Sequence, residues 1–226
     1  VVEGDRRYLQ EARHIYTISK VVGNRLNLYS GLKSKPLFPP LLDTEQYRCE
    51  EYGDYFFFPS RITAGKRQHL AIEAMAHLTS SARLVIAGEP ETPADLDRLV
   101  SAIREHQLES RVEVIPRWIS EKEKLRLLAG ARGVVYLPFD EDYGYVTLEA
   151  FHASKPVLTL TDAGGPLELV EHGRNGLICD DAERLAKAID ELSEDLALAE
   201  RLGQGALETI NEREISWDRV IRCLTQ

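Results

Sequence analysis

Short runs of apolar and aromatic residues recur along the chain, at Tyr55–Phe58, Leu84–Ala87, Val112–Ile115, Val134–Leu137, Val157–Leu160 and Leu177–Cys179. Runs this short, and mostly apolar at every position rather than at alternate ones, predict strands buried on both faces. Between them the spacing changes to three and four. Ala71, Ile72, Met75, Ala76 and Leu78 follow the first run, Leu96, Leu99, Val100 and Ile103 the second, and Leu125, Leu127 and Leu128 the third. Each interval is about long enough for one strand and one crossover helix, so the strands should be parallel. The pattern predicts an α/β fold, a Rossmann-like doubly wound parallel six-stranded sheet with helices on both faces. Ligands of such sheets sit outside the carboxyl ends of the strands, so any chemistry is expected in the strand-to-helix loops.

The two ends read differently. Leu185, Ile189, Leu192, Leu196, Ala199 and Leu202 mark one amphipathic helix, and Trp217, Val220, Ile221 and Leu224 a second, both expected to pack outside the sheet. At the front, His14–Ile18 reads as a strand without a sheet of its own and Lys20–Tyr29 as a helix. Lys33–Leu42, with Pro36, Pro39 and Pro40, reads as an extended linker. The expected organisation is a trailing strand and helix of a preceding domain over 1–30, a linker over 31–53, the Rossmann-like domain over 54–215 and a packing helix over 216–226. The chain does not begin with Met, which suggests a processed or excised piece. No internal repeat is visible.

Composition narrows the function classes. The 226 residues include 28 Lys+Arg and 37 Asp+Glu, a formal net charge of −9, and 43% hydrophobic residues. That balance excludes a disordered chain, and the lack of clustered cations argues against a nucleic-acid partner. Cys49, Cys179 and Cys223 stand far apart, so neither a disulfide framework nor a zinc site is indicated and a reducing compartment is expected. The longest apolar run, Gly133–Leu137, is far too short for a membrane anchor, and Val-Val-Glu-Gly-Asp-Arg-Arg is no signal peptide.

Three loops carry the candidate chemistry. After the first strand, Pro59-Ser60-Arg61-Ile62-Thr63-Ala64-Gly65-Lys66 puts two cations near a helix start, an arrangement suited to an anion such as phosphate. After the fourth, Glu141 precedes a glycine turn and Glu149 lies in the apolar stretch Val146–Ala153. A buried carboxylate at 149 requires donors, either ligand hydroxyls or a neighbouring Lys or Arg, while Glu141 could simply rest near a helix N-terminus. After the fifth, Gly164-Gly165 allows close backbone approach to a ligand or positive φ, and Glu168 is placed to cap the helix that follows. Asp140-Glu141-Asp142 and Asp95-Leu96-Asp97 both spell D-x-D, a pattern that can hold a divalent cation, but each reads as incidental. None of the six histidines stands in a metal or triad context.

Together, PSR-x4-K, EDYGYVTLE and AGGPLELVEHGRNGL resemble the donor-binding half of retaining glycosyltransferases of family 4 (group 1), which have the two-domain GT-B architecture. The likeness runs from about Ala12 to the C-terminus. It implies a hexosyltransferase whose donor is a nucleotide-diphosphate sugar, UDP- or GDP-linked, with Arg61 and Lys66 on the diphosphate and Glu141 on the sugar hydroxyls, these three being the catalytic candidates. Asp142, Tyr143, Gly144, Tyr145, Val146 and Thr147 would line the donor, their backbone N–H groups from Gly144 onward holding oxygens. Glu149 would take the ribose, Arg117 and Trp118 would border the base, and Gly88 would lie beside the nucleotide. The transfer step would need no metal and no cofactor, and the cation pair would stabilise charge growing on the departing diphosphate.

Arg67 and Pro116 stand where the family often has Gly, which puts an extra cation near the donor and alters a backbone contact to the base. The acceptor would bind a preceding domain that is missing here but for its last strand and helix, so this piece alone is expected to bind donor and transfer little. Such enzymes commonly build bacterial surface polysaccharides in the cytoplasm, sometimes at the inner membrane face. Two other readings fit the same grip on a diphosphate, a sugar-nucleotide epimerase of the same architecture and a non-catalytic nucleotide-sugar-binding module. The Glu141 and Glu149 pair favours transfer. A dinucleotide dehydrogenase is disfavoured because no G-x-G-x-x-G follows the first strand.

Overall fold

The computed structural model of the protein describes residues 2–225. The chain runs through α1 (Val2–Glu11), β1 (Tyr16–Thr17), α2 (Lys20–Ser30), β2 (Lys35–Pro36), β3 (Tyr55–Pro59), α3 (Gln68–Ala76), β4 (Arg83–Ala87) and α4 (Pro93–Glu105). It continues through β5 (Val112–Ile115), α5 (Glu121–Gly130), β6 (Gly133–Val135), α6 (Tyr145–His152), β7 (Val157–Leu160), β8 (Gly176–Cys179), α7 (Ala182–Glu194), α8 (Leu196–Glu212) and α9 (Trp217–Leu224).

β3 to β8 form one parallel sheet in the order β5-β4-β3-β6-β7-β8. The chain moves outward from β3 through β4 to β5, then returns to the other side of β3 and moves outward again from β6. The reversal leaves a crevice between the carboxyl ends of β3 and β6, where open α/β sheets bind their ligands. Register there pairs Phe56 with Gly133 and Phe57 with Val134.

Because helices cover both faces, β3 does not alternate. Phe56, Phe57 and Phe58 are all fully buried. Truncating any of them would cost about 3–5 kcal/mol in lost transfer energy and cavity formation. α3 packs beside α4 and α7, and α6 beside α8. The crossover helices begin on caps that the sequence supplies, such as Thr92 and Asp95, which form a reciprocal capping box on α4.

Three expectations change. The single helix predicted over Leu185–Leu202 is two helices, because Asp195 ends α7 in an extended conformation and caps α8 by accepting from the Leu198 N–H at 2.9 Å. The apolar spacing passes through the break and hides it. The front strand is only Tyr16–Thr17 and has a partner, pairing in parallel with β2 inside the segment read as a linker. α1, over residues with little apolar periodicity, was not anticipated by the pattern.

The front and back of the chain are tied to the sheet domain. Glu168 does not cap the helix after it. Both its carboxylate oxygens accept from the first turn of α2, from the Lys20 and Val21 N–H groups at 2.9 Å each. The proline-rich segment lies over the loop after β6, where Phe38 stacks on Tyr143 at 5.9 Å and the Tyr143 hydroxyl donates to the Pro39 carbonyl at 2.9 Å. α9 docks on the same segment, its Trp217 indole N–H donating to the Leu41 carbonyl at 3.1 Å.

Candidate functional site

The loop after β3 is shaped locally. The Thr63 hydroxyl accepts from the Gly65 N–H at 3.1 Å and starts a single 3-10 turn over Ala64–Lys66, and Arg67 follows in the left-handed region at φ 56° before α3 begins. This delivers Lys66 across the crevice to the loop after β6. Its Nζ donates to Glu141 Oε2 and, at 3.3 Å, to the Tyr136 hydroxyl, which itself donates to the same carboxylate oxygen at 3.2 Å. Burial, reinforced by Glu141, keeps the Tyr136 phenol protonated far above its ordinary range. Tyr136 therefore acts as a neutral donor that steadies both charges.

Glu141 is fixed through its backbone. Its N–H donates to the Ala163 carbonyl at 3.0 Å and its carbonyl accepts from Gly165 at 2.7 Å, a parallel bridge to the loop after β7. This approach explains the glycine pair. A Cβ on Gly164, whose φ is 77°, would stand 2.6 Å from the Glu141 carbonyl oxygen, and one on Gly165 2.6 Å from Tyr143 Cα. The close approach expected of these glycines is made here to the Glu141 loop. From the other side Arg25 on α2 donates to the Asp140 carbonyl and carboxylate, both at 2.8 Å, and pairs with Asp142. The first D-x-D is thus bound by a guanidinium. In the second, Asp95 serves as a helix cap and pairs with Arg98.

Arg61 is on the same loop as Lys66 but is not brought into contact with Glu141. Its carbonyl accepts from Gln68 at 2.7 Å while its guanidinium is exposed, with no hydrogen bond or ion pair among the described residues. Arg67 does not add a free cation. It forms a bidentate pair with Asp162 at 2.7 and 2.8 Å and donates to the Leu137 and Pro138 carbonyls at 2.8 Å each. That pairing holds the Asp162 carboxyl below its usual range. Gly88 faces the same loop, where a Cβ would fall 2.0 Å from the Ser60 carbonyl oxygen, so chain packing alone demands glycine there.

At the start of α6, the N–H groups of Gly144, Tyr145 and Val146 have no acceptor among the described residues, as the first turn of a helix requires. The Thr147 N–H is used, donating to the Gly144 carbonyl at 2.9 Å, and the buried Thr147 hydroxyl oxygen has no partner among the described residues. The Tyr143 side chain turns away under the proline-rich segment. Tyr145 meets it edge-on at 5.2 Å.

Glu149 does have a neighbouring lysine, Lys124 of α5, with Nζ 2.6 Å from its carboxylate and 3.0 Å from Glu121. Burial pushes the Glu149 carboxyl above its ordinary range even though Lys124 pulls it down. For Lys124, burial works to lower the ammonium, but the two glutamates outweigh it and raise it. These groups, with Tyr47, Tyr145, Leu41, Leu42 and Trp217, line a cleft of about 410 Å³. Nearby, Arg117 is tied to Glu123 at 2.8 and 3.0 Å, and Trp118 is 80% exposed.

Sequence reasoning missed Arg25, Tyr136 and Lys124. Tyr136 had a signal, since it follows a central strand at its carboxyl end. Arg25 and Lys124 had none, as their partners lie 117 and 25 residues away.

Comparison with known proteins decides the family. A profile described as "Glycosyl transferases group 1" matches residues 43–209. The chain belongs to the group 1 glycosyltransferases. It is similar to the alpha-1,3/1,6-mannosyltransferase ALG2 of Dictyostelium discoideum, 30% identical over 127 residues that cover 56% of this chain and 30% of the relative. A glycogen synthase of Mycobacterium tuberculosis is 29% identical over 174 residues, covering 75% of this chain and 41% of that protein. This group 1 domain thus spans less than half the length of either relative. In structure it resembles Anabaena HepE crystallised with UDP and glucose, at a TM-score of 0.84 and 22% identity, covering 95% of this chain and 63% of that one. It also resembles the C-terminal domain of a Francisella tularensis group 1 protein, LpcC, at a TM-score of 0.64 and 21% identity over 79% of this chain and 96% of that one. Both likenesses show the GT-B domain fold. No described helix is long and apolar enough to cross a membrane.

Proposed function

We propose that this domain binds a nucleotide-diphosphate sugar in the crevice between the ends of β3 and β6 and supports transfer of the sugar to an acceptor with retention. The observation that carries the reading is the Lys66–Glu141 pair, set where the strand order reverses. In the structure the Glu141 carboxylate holds the Lys66 ammonium. When a donor enters, its diphosphate takes Lys66 as a partner, and Glu141, fixed by its backbone bridge, is released to accept from sugar hydroxyls. The exposed Arg61 guanidinium closes on the diphosphate from the same loop.

As the bond between the anomeric carbon and the leaving oxygen breaks, negative charge grows on the diphosphate. Lys66, held in place by Glu141 and Tyr136, and the free N–H groups at the start of α6 would meet that charge with little reorganisation, while Arg61 must swing in from solvent to join them. The step needs no metal in this reading, and the natural pathway is polysaccharide or glycan synthesis. HepE bound to UDP and glucose supports the donor class, and the pairing of Asp140 and Asp142 with Arg25 supports charge neutralisation by side chains.

The test is calorimetric titration of UDP-, GDP- and ADP-sugars into the protein and its Lys66→Ala variant. One base should bind the wild type and lose most of its affinity in the variant. Equal affinity in both would overturn the proposal. A labelled donor followed in the intact enzyme should appear on a new acceptor, whereas isomerised or unchanged donor would overturn transfer.

A further inference from the structure

A second reactive pair lies away from the crevice. Lys155, in the turn between α6 and β7, is fully buried, and its side chain reaches residues 49–52. Its Nζ stands 3.1 Å from Cys49 Sγ, donates to the Glu51 carbonyl and sits 4.1 Å above the Tyr52 ring centre. No carboxylate lies within ion-pair distance of it among the described residues. Burial lowers the ammonium below its ordinary range, against the opposing pull of Cys49 and Glu51. The nitrogen stands at contact distance from sulfur, the placement an amine needs to attack it once oxidised. Cys49 is exposed, whereas Cys179 is buried.

We propose that Cys49 and Lys155 form an oxidative modification site in which a peroxide converts the exposed thiol to a sulfenic acid and the buried amine captures it as a sulfenamide cross-link. In the first step the sulfur attacks one peroxide oxygen. An S–O bond forms, the O–O bond breaks and one water leaves, with sulfur oxidised by two electrons and the peroxide reduced. In the second step the Nζ lone pair attacks sulfur, the N–S bond forms, the S–O bond breaks and hydroxide departs with a proton from nitrogen as a second water. The product has two hydrogen atoms fewer than the thiol and amine together.

The consequence is mechanical. The bond ties the segment at Cys49 to the turn after α6, the helix that carries Glu149 and the unpaired N–H groups. It closes a large loop, so it also restricts the unfolded chain and raises the melting temperature.

The experiment treats the intact chain with hydrogen peroxide and measures its mass and its peptides without reductant. The expected result is loss of two hydrogen atoms, a peptide joining Cys49 to Lys155, a higher melting temperature and reversal of all three by dithiothreitol. In Lys155→Arg the cross-link should vanish and Cys49 should be captured by a sulfenic-acid probe, and in Cys49→Ser neither should appear. The wild-type peptide map stands by itself if a variant folds poorly. Oxidation of Cys49 to sulfinic acid with Lys155 unmodified, a disulfide to Cys223, or an unreacted Cys49 would each overturn the proposal.

Discussion

Two lysine–glutamate pairs frame the candidate site, and they differ in what surrounds them. Lys66 and Glu141 meet across an open crevice, with side chains 20% and 27% exposed, and their third member is a neutral phenol. Lys124 and Glu149 meet on the wall of the cleft that Leu41 and Leu42 also line, with side chains 19% and 13% exposed, and their third member is another carboxylate. An ion pair that water or a ligand can reach exchanges partners readily. A pair whose carboxylate is more deeply buried must stay matched, because removing the lysine strands that charge. The first pair is thus built for exchange and the second for balance, although both pairs lie beside the same helix, α6.

Substitutions break the comparison in order of effect. In the full-length enzyme Lys66→Ala should lower kcat by about 10²–10³-fold, the usual loss on removing one preorganised donor. Its melting temperature should barely change, which steady-state kinetics and thermal denaturation check together. Lys124→Ala should do the reverse, destabilising the fold by about 3 kcal/mol in urea titration because Glu149 is left buried without its partner. Lys124→Met with Glu149→Leu should recover most of that stability. A smaller effect is expected from Arg25→Ala, which frees the Asp140–Asp142 loop and should cost about 1 kcal/mol in kcat/KM, given how exposed that pair is.

The smallest effect is in pH. Burial holds the folded Glu149 carboxyl above its ordinary value, so folding favours its protonated form. Its contribution to stability is fully present below the unfolded value and is lost as pH rises through the folded one. Glu149→Gln should therefore gain melting temperature relative to wild type as pH rises from the ordinary glutamate range toward neutrality. A difference that shrinks over that interval would show that Lys124 outweighs burial.

The sheet and its loops were legible because burial on both faces leaves uninterrupted apolar runs, and Phe56–Phe58 is as plain in the sequence as in the core. Lys66 and Glu141 were legible as loop residues of two strands, and the rule for open sheets brings those strands together. Long-range choices were not legible. Glu168 caps a helix 148 residues away in sequence, and nothing nearby marks it as anything but a local cap. The break at Asp195 was hidden for the opposite reason, since one aspartate can end one helix and begin another without disturbing the apolar stripe. Arg61 is legible only through its motif, because its exposed guanidinium has no partner among the described residues to fix it.

Arg67 has a wider implication. Most residues resist the left-handed backbone it adopts, and its guanidinium fastens the ends of β6 and β7 to the start of α3. Glycine would relax the backbone there and leave two strand ends and a helix start to fluctuate independently. Holding arginine at this position trades local conformational ease for a rigid rim, so the turn after β3 keeps one shape.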